Sequence, residues 1–132
     1  MPHPSIRIAL DYLAAMEARD LDLAQTFCAP GDLVLTFPGG RRFTAIDQIV
    51  ANSSGRYARI GKVITETDGF DAGQARSVVY VRGTLYGEWA DGTAFEGIRF
   101  IDRFELEGGL IRRQDVWNDT GEARLARAPQ EV

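Results

Sequence analysis

The sequence has one cysteine, Cys28, and one histidine, His3, among its 132 residues. A single cysteine excludes an internal disulfide and a cysteine-based metal site, and a single histidine excludes a histidine cluster around a metal. Cys28 follows a helical pattern, so we interpret it as a small core residue rather than a nucleophile. His3 lies in a Pro-flanked terminus and is predicted to be solvated. We therefore expect no metal and no other cofactor.

Long apolar runs and an excess of basic charge are also missing. No stretch approaches the roughly 18 apolar residues of a membrane span, and the N-terminus lacks the basic and apolar regions of a signal peptide. The net charge is -4, with 15 basic and 19 acidic residues. Because both signs are interspersed, no basic stripe indicates nucleic acid or an anionic membrane as a partner. The expected location is the cytoplasm.

The order of the predicted elements indicates an α+β fold in one domain over residues 1–132. Helical patterns cover 6–19, 21–28 and 44–53, and strand patterns cover 33–37, 60–67, 77–89, 93–107 and 110–119. Helices followed by a meander predict N-terminal helices packed on one face of a strongly curved antiparallel sheet. Such a sheet forms a conical pocket that suits a small ligand. Residues 68–73 are predicted as a loop, and residues from about 121 as a short helix or a flexible tail.

The caps of the three helices are predicted from single residues. Ser5 is placed at the start of the first helix and Asp20 at the start of the second. Thr44, with Asp47 three residues later, is typical of a capping box at the start of the third helix.

Two turn signals predict the register of the last three strands. A two-residue loop at Asp91-Gly92 folds strand 93–107 back onto strand 77–89. A two-residue loop at Gly108-Gly109 then sets Asp102 directly opposite Asp115, on the apolar face of the sheet. A slip of one residue would instead point Asp115 at solvent and Gln114 into the pocket.

Two carboxylates on an apolar sheet face indicate acid/base chemistry. Phe100, Phe104 and Val81 surround Asp102 in this register, so desolvation disfavours its charged form. Asp115 would add like-charge repulsion, and such a pair holds one protonated acid and one ionised base near neutral pH. The alternative is that Arg113 or a buried tyrosine neutralises Asp102 as a core ion pair.

Three segments together are typical of a known family. They are DYLAAMEARDLDLAQTF at 11–27, FIDRFELEGG at 100–109 and DVWND at 115–119. They resemble the cystatin-like α+β cone of nuclear transport factor 2, and within that superfamily the SnoaL-like polyketide cyclases and the ketosteroid isomerases. The resemblance to the isomerases implies that Tyr12 and Asp102 occupy the positions of their oxyanion hole; that family is a worked example of an acid kept neutral by an apolar site.

The sequence departs from the isomerases at their general base. The matching position in the segment TFPGG is Phe37, which cannot accept a proton, so a standard ketosteroid isomerase is not expected. SnoaL-like cyclases carry an aspartate on the last strand, and Asp115 matches it. The Asp-Arg-Asp arrangement of limonene epoxide hydrolases is only loosely imitated by Asp102, Arg113 and Asp115.

The resulting hypothesis is a protein that binds a small apolar or aromatic molecule bearing oxygen, and that acts on it as a cyclase, isomerase or hydrolase. Asp115 is the predicted acid/base, and Asp102 and Tyr12 are predicted to hold the ligand oxygen. The predicted ligand-binding residues are Phe37, Trp89, Phe100, Arg113 and Trp117. The alternative is a module that binds a ligand or another protein without chemistry.

The resemblance also implies a homodimer formed through the outward face of the sheet. In the predicted register that face mixes polar and apolar side chains, which suits an interface better than free solvent. These residues are Arg99, Ile101, Arg103, Arg112, Gln114 and Val116.

Overall fold

A computed structural model describes residues 2–127. The helices are α1 (Pro4–Glu17), α2 (Leu21–Thr26), α3 (Ile46–Ser54) and α4 (Thr120–Arg127). The strands are β1 (Val34–Phe37), β2 (Arg41–Phe43), β3 (Tyr57–Gly73), β4 (Arg76–Trp89), β5 (Ala94–Glu107) and β6 (Leu110–Asn118). No helix within this range is long and apolar enough to cross a membrane.

The six strands form one curved, open sheet in the order β2-β1-β6-β5-β4-β3. All neighbouring pairs are antiparallel except β1 and β6, which are parallel. Helix α1 packs on the inner face, where its Tyr12 and Leu13 join Val79, Val81 and Phe104 in the core. The predicted fold class, α+β with N-terminal helices on a curved sheet, is confirmed.

Strand β3 is longer than predicted, because residues 68–73 continue the strand instead of forming a loop. They pair with β4 up to Gly73 opposite Arg76. The connecting residues Gln74 and Ala75 both have positive φ angles, 39° and 62°. A Gln-Ala pair carries none of the Asn-Gly or Asp-Gly signal of such a turn. Because β3 is an edge strand, its end tolerates the polar composition that suggested a loop.

Beyond Leu85 the pairing of β4 with β5 follows the predicted register, with Val81 opposite Asp102 and Gly83 opposite Phe100. Next to the turn the predicted two-residue loop is wrong, because Glu88 pairs with Ala94, and a shift between Leu85 and Gly87 restores the predicted register. Gly83 allows a close approach by the edge strand, since a Cβ there would lie 1.9 Å from the carbonyl oxygen of Val63.

The register between β5 and β6 is shifted by a β-bulge. Leu106 pairs with Ile111 next to the two-residue Gly108-Gly109 turn, as predicted, but Glu105 already pairs with Arg113. Arg112 is therefore an extra residue on β6, and every later pair moves by one position. Without the bulge, Arg113 would face the core, where an unpaired guanidinium is costly.

The predicted pairing of Asp102 with Asp115 is wrong as a result. Asp102 pairs with Val116, and Arg103 pairs with Asp115 on the opposite face. Gln114 and Val116 now point inward, in the places opposite Phe104 and Asp102 where the unbulged register had put Arg113 and Asp115. A two-residue turn was identified correctly, but it did not determine the register beyond the bulge.

The predicted cap of α1 is also wrong. His3 caps the helix, because its Nδ1 accepts a hydrogen bond from the backbone N–H of Ser5 at 3.1 Å. Its Nε2 lies 2.7 Å from Asp71 of β3, so the His3 side chain is half-buried and not fully solvated as predicted. Pro4 starts the helix at the first helical position, and the Ser5 hydroxyl instead bonds Ser77 at 2.6 Å.

The ends of the other helices are closer to the prediction. Asp20 caps α2 as predicted, accepting from the backbone N–H of Leu23. The predicted capping box of α3 does not form; the backbone N–H of Thr44 donates to Gln48 Oε1. Of the two alternatives predicted from about residue 121, the short helix forms: α4 runs as far as Arg127, whose guanidinium lies 5.2 Å from the Trp89 ring. The rest of that predicted segment, 128–132, lies outside the described residues.

Candidate functional site

A cavity lies between the helices and the inner face of the sheet. Its volume is about 140 Å³, close to that of an engineered cavity of roughly 150 Å³ that binds benzene. The apolar side chains on its wall come from α1, α3 and five strands. They are Leu13, Met16, Phe37, Ile49, Ile60, Leu85, Phe100 and Val116.

Asp102 lies on the wall of this cavity and is completely buried, with an exposure of 0%. Its Oδ2 accepts a hydrogen bond from Lys62 Nζ at 2.9 Å. Its Oδ1 has no hydrogen-bond partner among residues 2–127. Gln114 lies nearby but outside hydrogen-bonding geometry. One carboxylate oxygen is thus held by a cation, and the other is left without a protein partner.

The protonation of Asp102 is shifted by its surroundings. Burial raises the pKa of Asp102 above its usual value, and the nearby Lys62 ammonium and Gln114 amide only partly oppose this. The acid form is therefore easier to reach than in an exposed aspartate. A carboxylate with a raised pKa is a stronger base than an ordinary aspartate, which suits it to take a proton from a ligand.

Lys62 was not identified from the sequence as a site residue. It lies on β3 opposite Leu85, and this position turns its side chain to the inner face. There its ammonium also lies 5.0 Å from the centre of the Phe100 ring, and its backbone N–H donates to Glu17 Oε1 at 2.8 Å. Alternation with Ile60 and Ile64 could have revealed it, because a charged residue on an apolar strand face was the signal that found Asp102.

Tyr12 contributes a second polar group to the cavity. It is buried on α1, and its ring packs edge-on against Phe104. Burial raises the pKa of the Tyr12 phenol above its usual range, with smaller contributions from Cys28 and Asp102, so the hydroxyl stays a neutral donor. That hydroxyl donates to Gln114 Oε1 at 3.4 Å, a long contact that a ligand oxygen could replace.

Four of the predicted site residues line the cavity, namely Tyr12, Phe37, Phe100 and Asp102. The other four do not. Asp115, Arg113 and Trp117 share the outward face of β6, because the bulge turned them away from the core. Trp89 is buried beyond the cavity, in an aromatic cluster with Tyr57 and Phe95.

Asp115 is paired on the outward face with two arginines. Arg113 Nε donates to its Oδ2 at 3.0 Å, and Arg103 Nη1 lies 4.0 Å from the same oxygen. Asp115 therefore cannot share a proton with Asp102, and its predicted acid/base role in the pocket is wrong. The alternative ion pair of Asp102 with Arg113 is wrong for the same reason, since the cation at Asp102 is Lys62.

Cys28 is buried, and its thiol lies 3.6 Å from the carbonyl oxygen of Ala24. Burial raises the pKa of Cys28 to about 11, which disfavours the reactive thiolate. The residue packs in the core, as predicted. Within residues 2–127, no group of three histidine, cysteine, aspartate or glutamate side chains is placed to hold a metal ion.

Similar proteins were found by structure. No family model and no curated protein matches the chain. An NTF2-like protein of unknown function from Burkholderia pseudomallei is 21% identical, with coverage of 94% of this chain and 98% of its own and a TM-score of 0.75. A putative SnoaL-like polyketide cyclase from Jannaschia is 18% identical, with coverage of 98% and 99% and a TM-score of 0.72.

A third similar structure is TerC co-crystallized with polyporic acid, which is 19% identical, with coverage of 93% of this chain and 97% of its own and a TM-score of 0.73. Likenesses at these identities establish the fold. The chain has the NTF2-like fold. The resemblance seen in the sequence is confirmed at this level, which does not assign an activity, because this scaffold carries many unrelated functions.

The raised pKa of Asp102 predicts how stability changes with pH. The unfolded chain releases the Asp102 proton at about pH 4, whereas the folded protein releases it only at a higher pH. Binding of this proton therefore stabilises the folded protein at low pH, and that stabilisation is lost as the pH rises through the pKa of folded Asp102. Asp102→Asn carries no titrating group. The free energy of unfolding of this variant, minus that of the wild type, should therefore increase between about pH 4 and about pH 7, measured by urea unfolding.

Asp91→Asn is the control for this series. Hydrogen bonds from Thr93 and Arg127 lower the pKa of Asp91 to about 2, so its contribution is constant over the same range and is lost only in stronger acid. A difference for Asp102→Asn that stays flat or decreases with pH would show that burial does not raise the Asp102 pKa.

Proposed function

We propose that the protein binds a small apolar molecule carrying a carbonyl or phenolic oxygen and catalyses proton transfer on it. The observation that carries this proposal is the asymmetry of Asp102: Lys62 holds Oδ2, while Oδ1 is buried at the cavity wall without a protein partner. A buried polar atom without a partner is costly. A phenolic hydroxyl removes that cost by donating to Oδ1, and a ligand carbonyl removes it by accepting from Oδ1 when Asp102 is protonated.

The same arrangement can perform a complete proton transfer. Asp102 Oδ1 takes a proton from a carbon next to the ligand carbonyl, and the electrons of the broken C–H bond form an enolate. Tyr12 and Lys62 stabilise the negative oxygen, since the ammonium has two further N–H donors beyond the one given to Asp102. Asp102 then delivers a proton to another position, which gives isomerisation, or it first exchanges its proton with solvent and delivers the new one to the same carbon, which gives exchange.

The fold neighbours support this reading. Several are polyketide cyclases by name, and TerC was crystallized with polyporic acid. The position of the isomerase general base is Phe37, which lies on the cavity wall and is apolar. The proposal therefore gives Asp102 the role of the base and does not make the protein a standard ketosteroid isomerase.

Ligand binding without chemistry is the second candidate function. It is favoured by the Lys62–Asp102 contact, because an ammonium at 2.9 Å can neutralise the carboxylate as a purely structural pair. In that case the cavity binds a ligand through its apolar wall, and Asp102 takes no part in proton exchange. The two functions differ in what happens to an acidic C–H bond of the ligand.

Deuterium exchange distinguishes the two. β-Tetralone is a small apolar ketone with acidic C–H bonds, and NMR in heavy water follows the loss of those protons. The wild type should accelerate the exchange, and Asp102→Asn should slow it by about 100-fold or more, the usual contribution of a positioned base.

Asp115→Asn is the matched control, since it removes a carboxylate from the outward face of the same sheet. It should leave the exchange rate unchanged. Loss of exchange in Asp115→Asn but not in Asp102→Asn would contradict the assignment of the base. Binding of the ketone with no acceleration by the wild type would leave the binding function alone.

We also propose that the protein forms a homodimer through the outward face of the sheet. The face carries exposed apolar side chains on both the edge strand and β6, including Val63, Phe70 and Trp117. Trp117 is 52% exposed, which is unusual for so large an apolar ring. The bulge changes the membership of this face: Gln114 and Val116, predicted to lie on it, point inward.

The proposed homodimer can be tested by its mass in solution. Sedimentation equilibrium at micromolar concentration should give twice the 14.6 kDa of one chain. Trp117→Glu should give monomers, because a charge would be buried in the interface without a partner. Leu125→Glu, at an exposed apolar residue of α4, should remain dimeric. A monomeric wild type would contradict the proposal.

A further inference from the structure

Three arginines that the proposed proton transfer does not use line the same cavity. They are Arg19, Arg41 and Arg56. Two of them reach the end of α3: Arg41 Nη1 donates to Asn52 Oδ1 at 2.8 Å, and Arg19 Nη2 donates to Ser53 Oγ at 3.4 Å. Among residues 2–127, none of the three forms an ion pair with a carboxylate.

Local structure accounts for two of these arginines. Arg19 also donates to the carbonyl oxygen of Met16 at 2.7 Å, at the end of α1. Arg41 also donates to the carbonyl oxygen of Pro38, in the turn before β2. Both therefore have a role in holding the backbone.

Arg56 has no such role. It is half-buried, and its guanidinium makes no hydrogen bond to any residue in the range 2–127. Burial lowers the pKa of Arg56 from its usual value, and the like charges of Arg41 and Arg124 lower it further. A partly desolvated cation beside other cations is unfavourable unless an anion joins it.

The charges on the cavity wall are separated. Both carboxylates that line it accept hydrogen bonds from Lys62: Asp102 accepts from the ammonium, and Glu17 accepts from the backbone N–H. The arginines are gathered at the end of α3, around Asn52 and Ser53. A ligand that satisfies both groups has oxygen without full charge near Lys62 and a negative group near Arg56.

We propose that the ligand of this cavity carries a carboxylate, which Arg56 binds together with Arg41. The inference rests on the proposed function and narrows its substrate class to apolar carboxylic acids with a carbonyl or phenolic oxygen. A carboxylate matches the guanidinium because two parallel N–H donors meet its two oxygens. The apolar body of the ligand then lies along Phe37, Ile49 and Ile60.

Matched probes test the inference. 2-Naphthoate and 2-naphthamide have the same apolar body and differ in the charge of one group, and calorimetry gives the affinity of each. Arg56→Gln should weaken naphthoate binding about tenfold or more, the effect of losing a charge-assisted hydrogen bond. The affinity for naphthamide should stay within about twofold, since a neutral amide gains little from the charge.

Arg42→Gln is the matched control, because Arg42 is the exposed neighbour of Arg41 and does not line the cavity. It changes the net charge equally and should leave both affinities unchanged. Circular dichroism checks that each variant is folded.

The outcomes separate this inference from the proposed function. Equal binding of naphthoate and naphthamide, or an equal loss of both in Arg56→Gln, would overturn the carboxylate site and leave the cavity as a site for neutral ligands. Tighter binding of 2-naphthyl phosphate than of naphthoate, with the same dependence on Arg56, would overturn the choice of carboxylate. Binding of neither naphthalene probe to the wild type would contradict the proposed function and this inference with it.

Discussion

The contact between Lys62 and Asp102 is the interaction on which the site depends. A carboxylate with no exposure to solvent needs a counter-charge, and β3 supplies one by turning Lys62 to the inner face of the sheet. Only one of the two carboxylate oxygens is satisfied in this way. The cavity consequently has a buried acceptor at one end and a group of arginines at the other, within an apolar wall.

One extra residue in β6 determines which aspartate lines the cavity. Arg112 is skipped in the pairing of β5 with β6, so Gln114 and Val116 face inward and Asp115 faces outward. The shift keeps Arg113 out of the core and pairs it with Asp115 instead. Chemistry in the cavity therefore depends on one carboxylate and a lysine, not on two carboxylates sharing a proton.

Much of the fold could be predicted, because alternation in β4 and β5 and the first turn agree on one buried face. Tyr12, Phe37, Phe100 and Asp102 were found for that reason, by pattern or by family resemblance. Asp115 was misplaced because a bulge depends on the cost of burying Arg113, which involves strands distant in the chain. Lys62 was missed because Val63 is apolar as well as Ile60 and Ile64, so this part of the strand shows no single buried face in the sequence. The arginine group comes from the connection after α1, from β2 and from the turn before β3, and no local pattern connects these segments.

Carbon-13 NMR of labelled aspartate carboxyl groups tests most directly whether Asp102 is the acid/base group of a ligand site. We expect Asp102 to titrate above the ordinary aspartate pKa of about 3.9. We also expect β-tetralone to shift the Asp102 resonance and to leave that of Asp115 in place. An Asp102 resonance that titrates at or below the ordinary pKa and does not respond to the ketone would contradict this assignment of Asp102.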